Sequence, residues 1–197
     1  MIFVTSDLHF NHNKDFIYEF RGFSSIQEHD EEIIKRWNQV VYPKDEVYFL
    51  GDIGMGKDID YLVNCVKQLN GTIHWVFGNH DTLNRIQAIG ALPHIIIEGH
   101  AAVIKVDGQR FYLSHYPVMS APIGEKPYNK SLISLCGHIH TDDPFADWAR
   151  NYKECESCNV NPGYMIYHCE LDAHNCYPVS LEQLLKHIKN YNDTHPF

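Results

Sequence analysis

Apolar positions in the first half of the chain alternate between short solid runs and longer helical stripes. IFVTS (2–6), EVYFL (46–50) and TIHWVF (72–77) have the length and composition of buried strands. Between the first two, SSIQEHDEEIIKRWNQVV sets Ile33, Ile34, Trp37, Val40 and Val41 along one helical face, with Ser25 and Glu28 at capping-box spacing. A second helix carries Ile59, Leu62, Val63, Val66 and Leu69 inward, and Asn70-Gly71 stops it. TLNRIQAIGAL (82–92) predicts a short third helix.

The second half is richer in strands. HIIIE, AAVIKV and RFYLS are short apolar runs, and the last two flank Asp107-Gly108, a hairpin signal. LISLC and MIYHCEL add two more. A closing helix starts near Ser180, with Gln183 at capping-box spacing and Leu181, Leu184, Leu185, Ile188 and Tyr191 at helical spacing. Strand–helix units followed by meandering strands predict two packed sheets with helices outside. With no repeat, low-complexity tract or long linker, residues 1–197 form a single predicted domain.

Composition narrows the class. A hydrophobic fraction of 44% and a charged fraction of 21% are ordinary for a globular protein. The formal charge of -9 disfavours broad attraction to long nucleic acid or an anionic membrane. No stretch approaches a membrane span, the N-terminus does not read as a signal sequence, and six unevenly spaced cysteines do not form a secreted disulfide framework. The expected setting is cytoplasmic. Fourteen histidines point toward metal chemistry.

The chemistry collects where the strands end. IFVTS runs into Asp7 and His9, EVYFL into Gly51-Asp52, and TIHWVF into Gly78-Asn79-His80-Asp81. RFYLS runs into His115, and LISLC into Gly137-His138-Ile139-His140. Along a strand, alternate side chains share a face, so His138 and His140 are expected to point the same way. Each piece alone has an ordinary explanation as a cap, a turn or a solvated imidazole. Five in register with five strands indicate a metal site. Carboxylate, carboxamide and imidazole without thiolate suit Mn, Fe, Zn or Ni, and the set is large enough for two ions.

In the order DxH, GD, GNHD, H and GHxH, the chain resembles the calcineurin-like metallophosphoesterases. Through FRGF, EHDEEIIKRWN and VYFLGD it is similar to small single-domain bacterial and phage members. The resemblance implies an α+β fold, a four-layer α/β/β/α sandwich, with a dinuclear centre of two divalent transition-metal ions, manganese foremost. Asp7, His9, Asp52 and His140 would hold one ion, and Asp52, Asn79, His115 and His138 the other. His80 would be the catalytic imidazole beside the phosphate. Such a centre hydrolyses phosphate esters by attack of a hydroxide held between the metals. The IGMGKD that follows Asp52, and Phe77 before GNH, depart from the Ser/Thr protein phosphatases. The acidic partner that often orients the imidazole stays unassigned, Asp81 being merely adjacent.

His12 and Arg21 follow the first motif and are candidate contacts for a substrate phosphate, Arg21 having a surface ion pair as its alternative role. Asn38 reads as a cap. Whether Cys155, Cys158, Cys169 and Cys176 hold a further metal stays open, since the first pair has CxxC spacing and the second is stretched to CELDAHNC. The expected partner is a small phosphodiester or nucleotide-type substrate. The alternatives are a nuclease of the same fold and a non-catalytic binding scaffold.

Overall fold

The computed structural model describes residues 1–118, 132–145 and 165–194. Strands β1 (Ile2–Thr5), β2 (Glu46–Phe49), β3 (Thr72–Val76) and β4 (Ile95–Gly99) run parallel in one sheet. A two-residue strand near the C-terminus, Val179–Ser180, pairs antiparallel with β1 and completes the order β4-β3-β2-β1-β9. The second sheet has the order β5-β6-β7-β8, from Ala101–Val106, Gln109–Ser114, Leu132–Cys136 and Met165–His168.

Both sheets are mixed, and their inner faces meet. Successive residues of the first sheet serve opposite sides. Phe3, Val47, Phe49, Ile73 and Trp75 face one way into a cluster with Ile33 and Trp37 of helix α2 (Ile26–Val40), Leu62 and Val66 of α3 (Ile59–Lys67), and Ile89 of α4 (Leu83–Gly90). Val4, Leu50 and Val76 face the other way, onto Phe111, Leu113, Ile133, Leu135 and Tyr167 of the second sheet. Helix α5 (Leu181–Thr194) adds Leu181, Leu184 and Ile188 to that same layer. The sandwich flanked by helices that the sequence predicts is the one observed.

Local signals explain most of the boundaries. Ser25 Oγ accepts the Glu28 N–H at 3.2 Å, while the Glu28 carboxylate returns to the Ser24 N–H at 2.8 Å, so the box opens one residue early. Ser180 and Gln183 close theirs reciprocally, at 3.2 and 3.0 Å. Asp107 and Gly108 take φ of 49° and 82°, the left-handed pair that a two-residue hairpin requires.

Three expectations are corrected. The second sheet does not meander. Only β5–β6 is a hairpin, and β6–β7 and β7–β8 are parallel, so they need long crossover connections. The last predicted strand stops at His168, and Leu171–His174 turns into a 3₁₀ segment that places Asp172. Asn38 caps no end of its own helix. It accepts the Asn70 N–H at 2.9 Å and donates to the Gln68 carbonyl at 2.8 Å, tying α2 to the C-terminal end of α3. A short helix α1 (Asp15–Tyr18), which no periodicity announced, follows the first loop. Cys155 and Cys158 lie outside the described residues.

Candidate metal centre

The parallel runs β1–β2–β3 and β6–β7 deliver their carboxyl ends to one edge of the sandwich. The candidate ligands beyond them do not sit on strands. Asp7, His9, Asp52, His138 and His140 have φ of 59°, 53°, 61°, 76° and 55°. Left-handed backbone costs roughly 1–2 kcal/mol per non-glycine residue, least for Asp, Asn and His. His138 and His140 therefore converge because the chain coils, and not because alternate residues of a strand share a face.

Cross-ties between loops hold that coil. The N–H groups of Asp7, His9 and Phe10 donate to the carbonyls of Gly51, Asp52 and Ile53 at 2.9, 3.1 and 3.1 Å. The His138 N–H donates to Asp7 Oδ2 at 3.0 Å, joining the two sheets at the site, and the Gly137 N–H donates to the His115 carbonyl at 3.0 Å within the second.

Two pockets result. In the first, His9 Nε2 and His140 Nε2 lie 3.6 and 3.5 Å from Asp7 Oδ1 and 3.1 Å from each other. In the second, His115 Nε2 lies 3.4 Å from Asp52 Oδ2, 2.9 Å from Asn79 Oδ1 and 3.2 Å from His138 Nδ1. Within each triad, Asp7–His9–His140 or Asp52–His115–His138, the donor atoms fall within 4.8 Å of one another. Asp52 Oδ2 is also 3.9 Å from His9 Nε2, so one carboxylate borders both pockets.

The residues present fit divalent cations. Asp7 Oδ1 is buried with no hydrogen-bond partner. His9 Nε2 and His140 Nε2 face each other at 3.1 Å beside it, close enough for one cation to be held by both. Outer partners orient the rings. His115 Nδ1 is 2.8 Å from the Leu50 carbonyl and His140 Nδ1 is 2.9 Å from Asp172 Oδ2, and each donates there, freeing Nε2 for the pocket. Burial alone would raise the Asp7 carboxyl, yet His9, His140 and His115 around it hold it well below the usual carboxylate range. Burial would likewise depress the His115 imidazolium, yet the Asp52 hydrogen bond and the Asp7 and Asp52 charges carry its pKa up to about 9.

His80 stands apart from the ligands. Its side chain is 38% exposed, against 2% for His9 and 1% for His115, and its Nε2 is 3.9 Å from Asp52 Oδ2. Its backbone N–H donates to Asp52 Oδ1 at 2.8 Å, and its carbonyl accepts from Arg85, so the ring is aimed by a fixed main chain. His12 sits beside it, ring centroids 6.3 Å apart, with Nδ1 3.1 Å from His9 Nδ1. Burial and the neighbouring imidazoles push His12 down to about 4, which leaves it neutral near pH 7.

Arg21 requires a correction. It contacts neither solvent nor an open substrate position. Nε and Nη2 donate to Asp172 at 2.8 and 2.9 Å, Nη2 also to the Asp7 carbonyl at 2.8 Å, and Nη1 to the Leu8 carbonyl and His29 Nε2 at 3.2 and 3.0 Å. All five guanidinium N–H groups are engaged, so none remains for a phosphate. Arg21 is a buried clamp under the first ligand loop. His29 passes the chain on to Asp30 at 2.7 Å, and Asp30 accepts from the Asn11 N–H and the Tyr61 hydroxyl, both at 2.9 Å.

Sequence reasoning missed two organising carboxylates. Asp172 joins Arg21 to His140, and nothing in CELDAHNC beyond its cysteines drew attention to it. Asp81 does not orient the His80 ring. Its buried carboxylate accepts the N–H groups of Gly78, Asp52 and Ile53 at 2.7, 2.9 and 3.1 Å and the Trp75 indole at 3.2 Å, binding the GD and GN loops together.

Comparison with known proteins bears on the family and the fold. Residues 1–177 match the calcineurin-like phosphoesterase superfamily domain. The chain is 30% identical over 193 residues to an uncharacterized protein of Methanocaldococcus jannaschii, covering 95% of this chain and 91% of that protein. It is 35% identical over 80 residues to the gene 66 protein of Mycobacterium phage L5, 39% of this chain and 38% of that one. A solved protein of unknown function from Aquifex aeolicus has the same fold, with a TM-score of 0.67 at 22% identity over 94% of this chain and 98% of that chain.

Proposed function

The chain belongs to the calcineurin-like phosphoesterase superfamily, and from that premise we propose that it hydrolyses small phosphodiester or nucleotide-type substrates with two divalent ions. One observation carries the proposal: two pockets of carboxylate and imidazole donors border Asp52, and the partly exposed His80 opens beside that carboxylate at 3.9 Å. When bound, two such ions supply charge neutralisation at the phosphoryl oxygens and a water acidic enough to act as nucleophile near neutral pH.

The protein's own groups do the rest. Asp7, His9, Asp52 and His140 form the first ligand set, and Asp52, Asn79, His115 and His138 the second. The carbonyl of Leu50 and the carboxylate of Asp172 hold the His115 and His140 rings with Nε2 inward. Accessible at the cleft, the His80 imidazole donates a proton to the departing ester oxygen. Neutral His12 lines the same opening and accepts or donates one hydrogen bond there. No side chain needs to form a covalent intermediate.

Manganese is the ion we favour, from a donor set of oxygen and imidazole nitrogen without thiolate. A cytoplasmic setting goes with this reading, since Cys65, Cys136, Cys169 and Cys176 are buried free thiols of the kind a reducing compartment keeps. Among the described residues, no helix is long and apolar enough to cross a membrane.

A panel of phosphomonoesters, small diesters, cyclic nucleotides and oligonucleotides, each assayed with added Mn, tests the proposal. Turnover of small diesters that chelation abolishes and Mn restores is the expected result. Efficient, steeply salt-dependent cleavage of oligonucleotides with inert small diesters would replace it with a nuclease. Metal binding without turnover of any member would leave a binding scaffold.

A further inference from the structure

The two pockets share a carboxylate but differ in what surrounds it. Each holds a pair of imidazole nitrogens within hydrogen-bond distance, His9 Nε2 and His140 Nε2 at 3.1 Å in the first and His115 Nε2 and His138 Nδ1 at 3.2 Å in the second. In the first, Asp7 Oδ1 is buried without any hydrogen bond, and two imidazole nitrogens face each other beside it. A stranded buried polar atom is unfavourable, and a charged one more so. A cation entering the first pocket relieves that cost at Asp7 Oδ1, and among the described residues no ligand atom of the second pocket is stranded in the same way.

Formal charge points the same way. The first pocket has Asp7 to itself and a share of Asp52. The second has only the share, its other ligands being the Asn79 amide and the His115 and His138 imidazoles, which bring no further carboxylate. The rings are also backed differently. Behind His140 stands the Asp172 carboxylate at 2.9 Å, and behind His115 the Leu50 carbonyl at 2.8 Å. A carboxylate partner raises the basicity of a ligating imidazole more than a neutral carbonyl does. Asp172 cannot swing away, because Arg21 grips both of its oxygens and its 3₁₀ turn is tied to β1 by the Leu171 N–H to the Ser6 carbonyl.

We infer that the Asp7–His9–His140 pocket fills first and holds its ion more tightly, and that Asp172, clamped by Arg21, is the positioning residue that sets the difference. This rests on the two-ion reading above. It is tested on metal-free protein titrated with zinc, a diamagnetic stand-in, following the histidine ring signals by NMR and the binding heat by calorimetry. The first equivalent should shift the His9 and His140 rings and leave His115 and His138 in place, and the second should move the latter pair.

Asp172→Asn keeps an oxygen for the His140 N–H but removes the charge. It should weaken the first step by about 10–100-fold and leave the second unchanged. Arg21→Lys keeps a cation but loses the fork, so it should weaken the same step alone. Zinc entering the His115–His138 pocket first overturns the filling order, and this result comes from the unaltered protein, whatever the variants do. An unchanged first step in folded Asp172→Asn or Arg21→Lys protein overturns the role of Asp172. No zinc bound at either step overturns the two-ion reading instead.

Discussion

Replacing Asp81 by asparagine should loosen the fold and the second pocket together, and the size of the effect follows from its four donors. Three of them, the N–H groups of Gly78 and Asp52 and the Trp75 indole, converge on Oδ2, and the fourth, the Ile53 N–H, meets Oδ1. Asparagine can keep its oxygen at the Oδ2 position and retain three bonds, now without charge assistance. Its NH₂ then faces the Ile53 N–H, which loses its acceptor. One lost charge-assisted bond is worth about 1.5–3 kcal/mol and one stranded donor about 1–3. Relief from burying a carboxylate offsets part of this, leaving a net loss of roughly 2–4 kcal/mol.

Urea unfolding of the metal-free protein measures that loss. With a slope of about 2 kcal/mol/M, the midpoint should fall by about 1–2 M at constant slope. Because Asp81 joins the turn carrying Asp52 to the turn carrying Asn79, metal analysis should show the ion at His115 lost before the ion at His140. An Asp81→Asn protein with an unchanged midpoint and two bound ions would refute this role for Asp81.

Further outcomes follow from the same geometry. His80→Ala should retain both ions and the fold while kcat falls by roughly 10²–10⁴-fold, and loss of metal in that variant would make His80 a ligand. Asp52→Ala should be the most damaging single ligand change, lowering the occupancy of both pockets, which metal analysis of the folded variant would reveal. Gly137→Ala should displace the first ligand loop, since an added Cβ would stand 2.2 Å from both Asp7 Oδ2 and Ser6 Oγ; metal retention at the level of the unaltered protein would contradict it. Between about pH 5 and 3, metal-free protein should lose stability faster than its Asp172→Asn variant. Despite burial, Arg21 and His140 hold the Asp172 pKa well below its unfolded value, so its contribution is present above that value and fades as the pH drops.

Much of the fold could be read because local chemistry and global architecture agree. Asp107-Gly108 demanded a left-handed turn, Ser180 and Gln183 a helix start, and Trp37 and Trp75 found the same buried layer from different elements. The clustering of candidate donors could be read because acids and imidazoles after apolar runs have few other reasons to recur. What escaped was three-dimensional. Alternation explained His138 and His140 by a strand face, whereas left-handed backbone turns them inward. Arg21 looked like a phosphate contact because spacing records proximity to Asp7 but not that Asp172, 151 residues away, already holds its guanidinium. The parallel pairing of β6, β7 and β8 was hidden because parallel and hairpin partners share one apolar pattern.

The first ligand loop has a consequence for how the molecule is made. His9 meets His140 across 131 residues, and β1 finds its outer neighbour only at Val179–Ser180. The Asp7–His9 loop is made well before its partners, and its pocket cannot close before His140 is made, nor the Arg21–Asp172 clamp before Asp172. Closing so long a loop carries an entropic cost that grows with its length, and it comes late in assembly. An ion held between His9 and His140 would therefore report that the two distant loops have met. Such an ion would act as a clasp across 131 residues, slowing unfolding far more than it speeds folding.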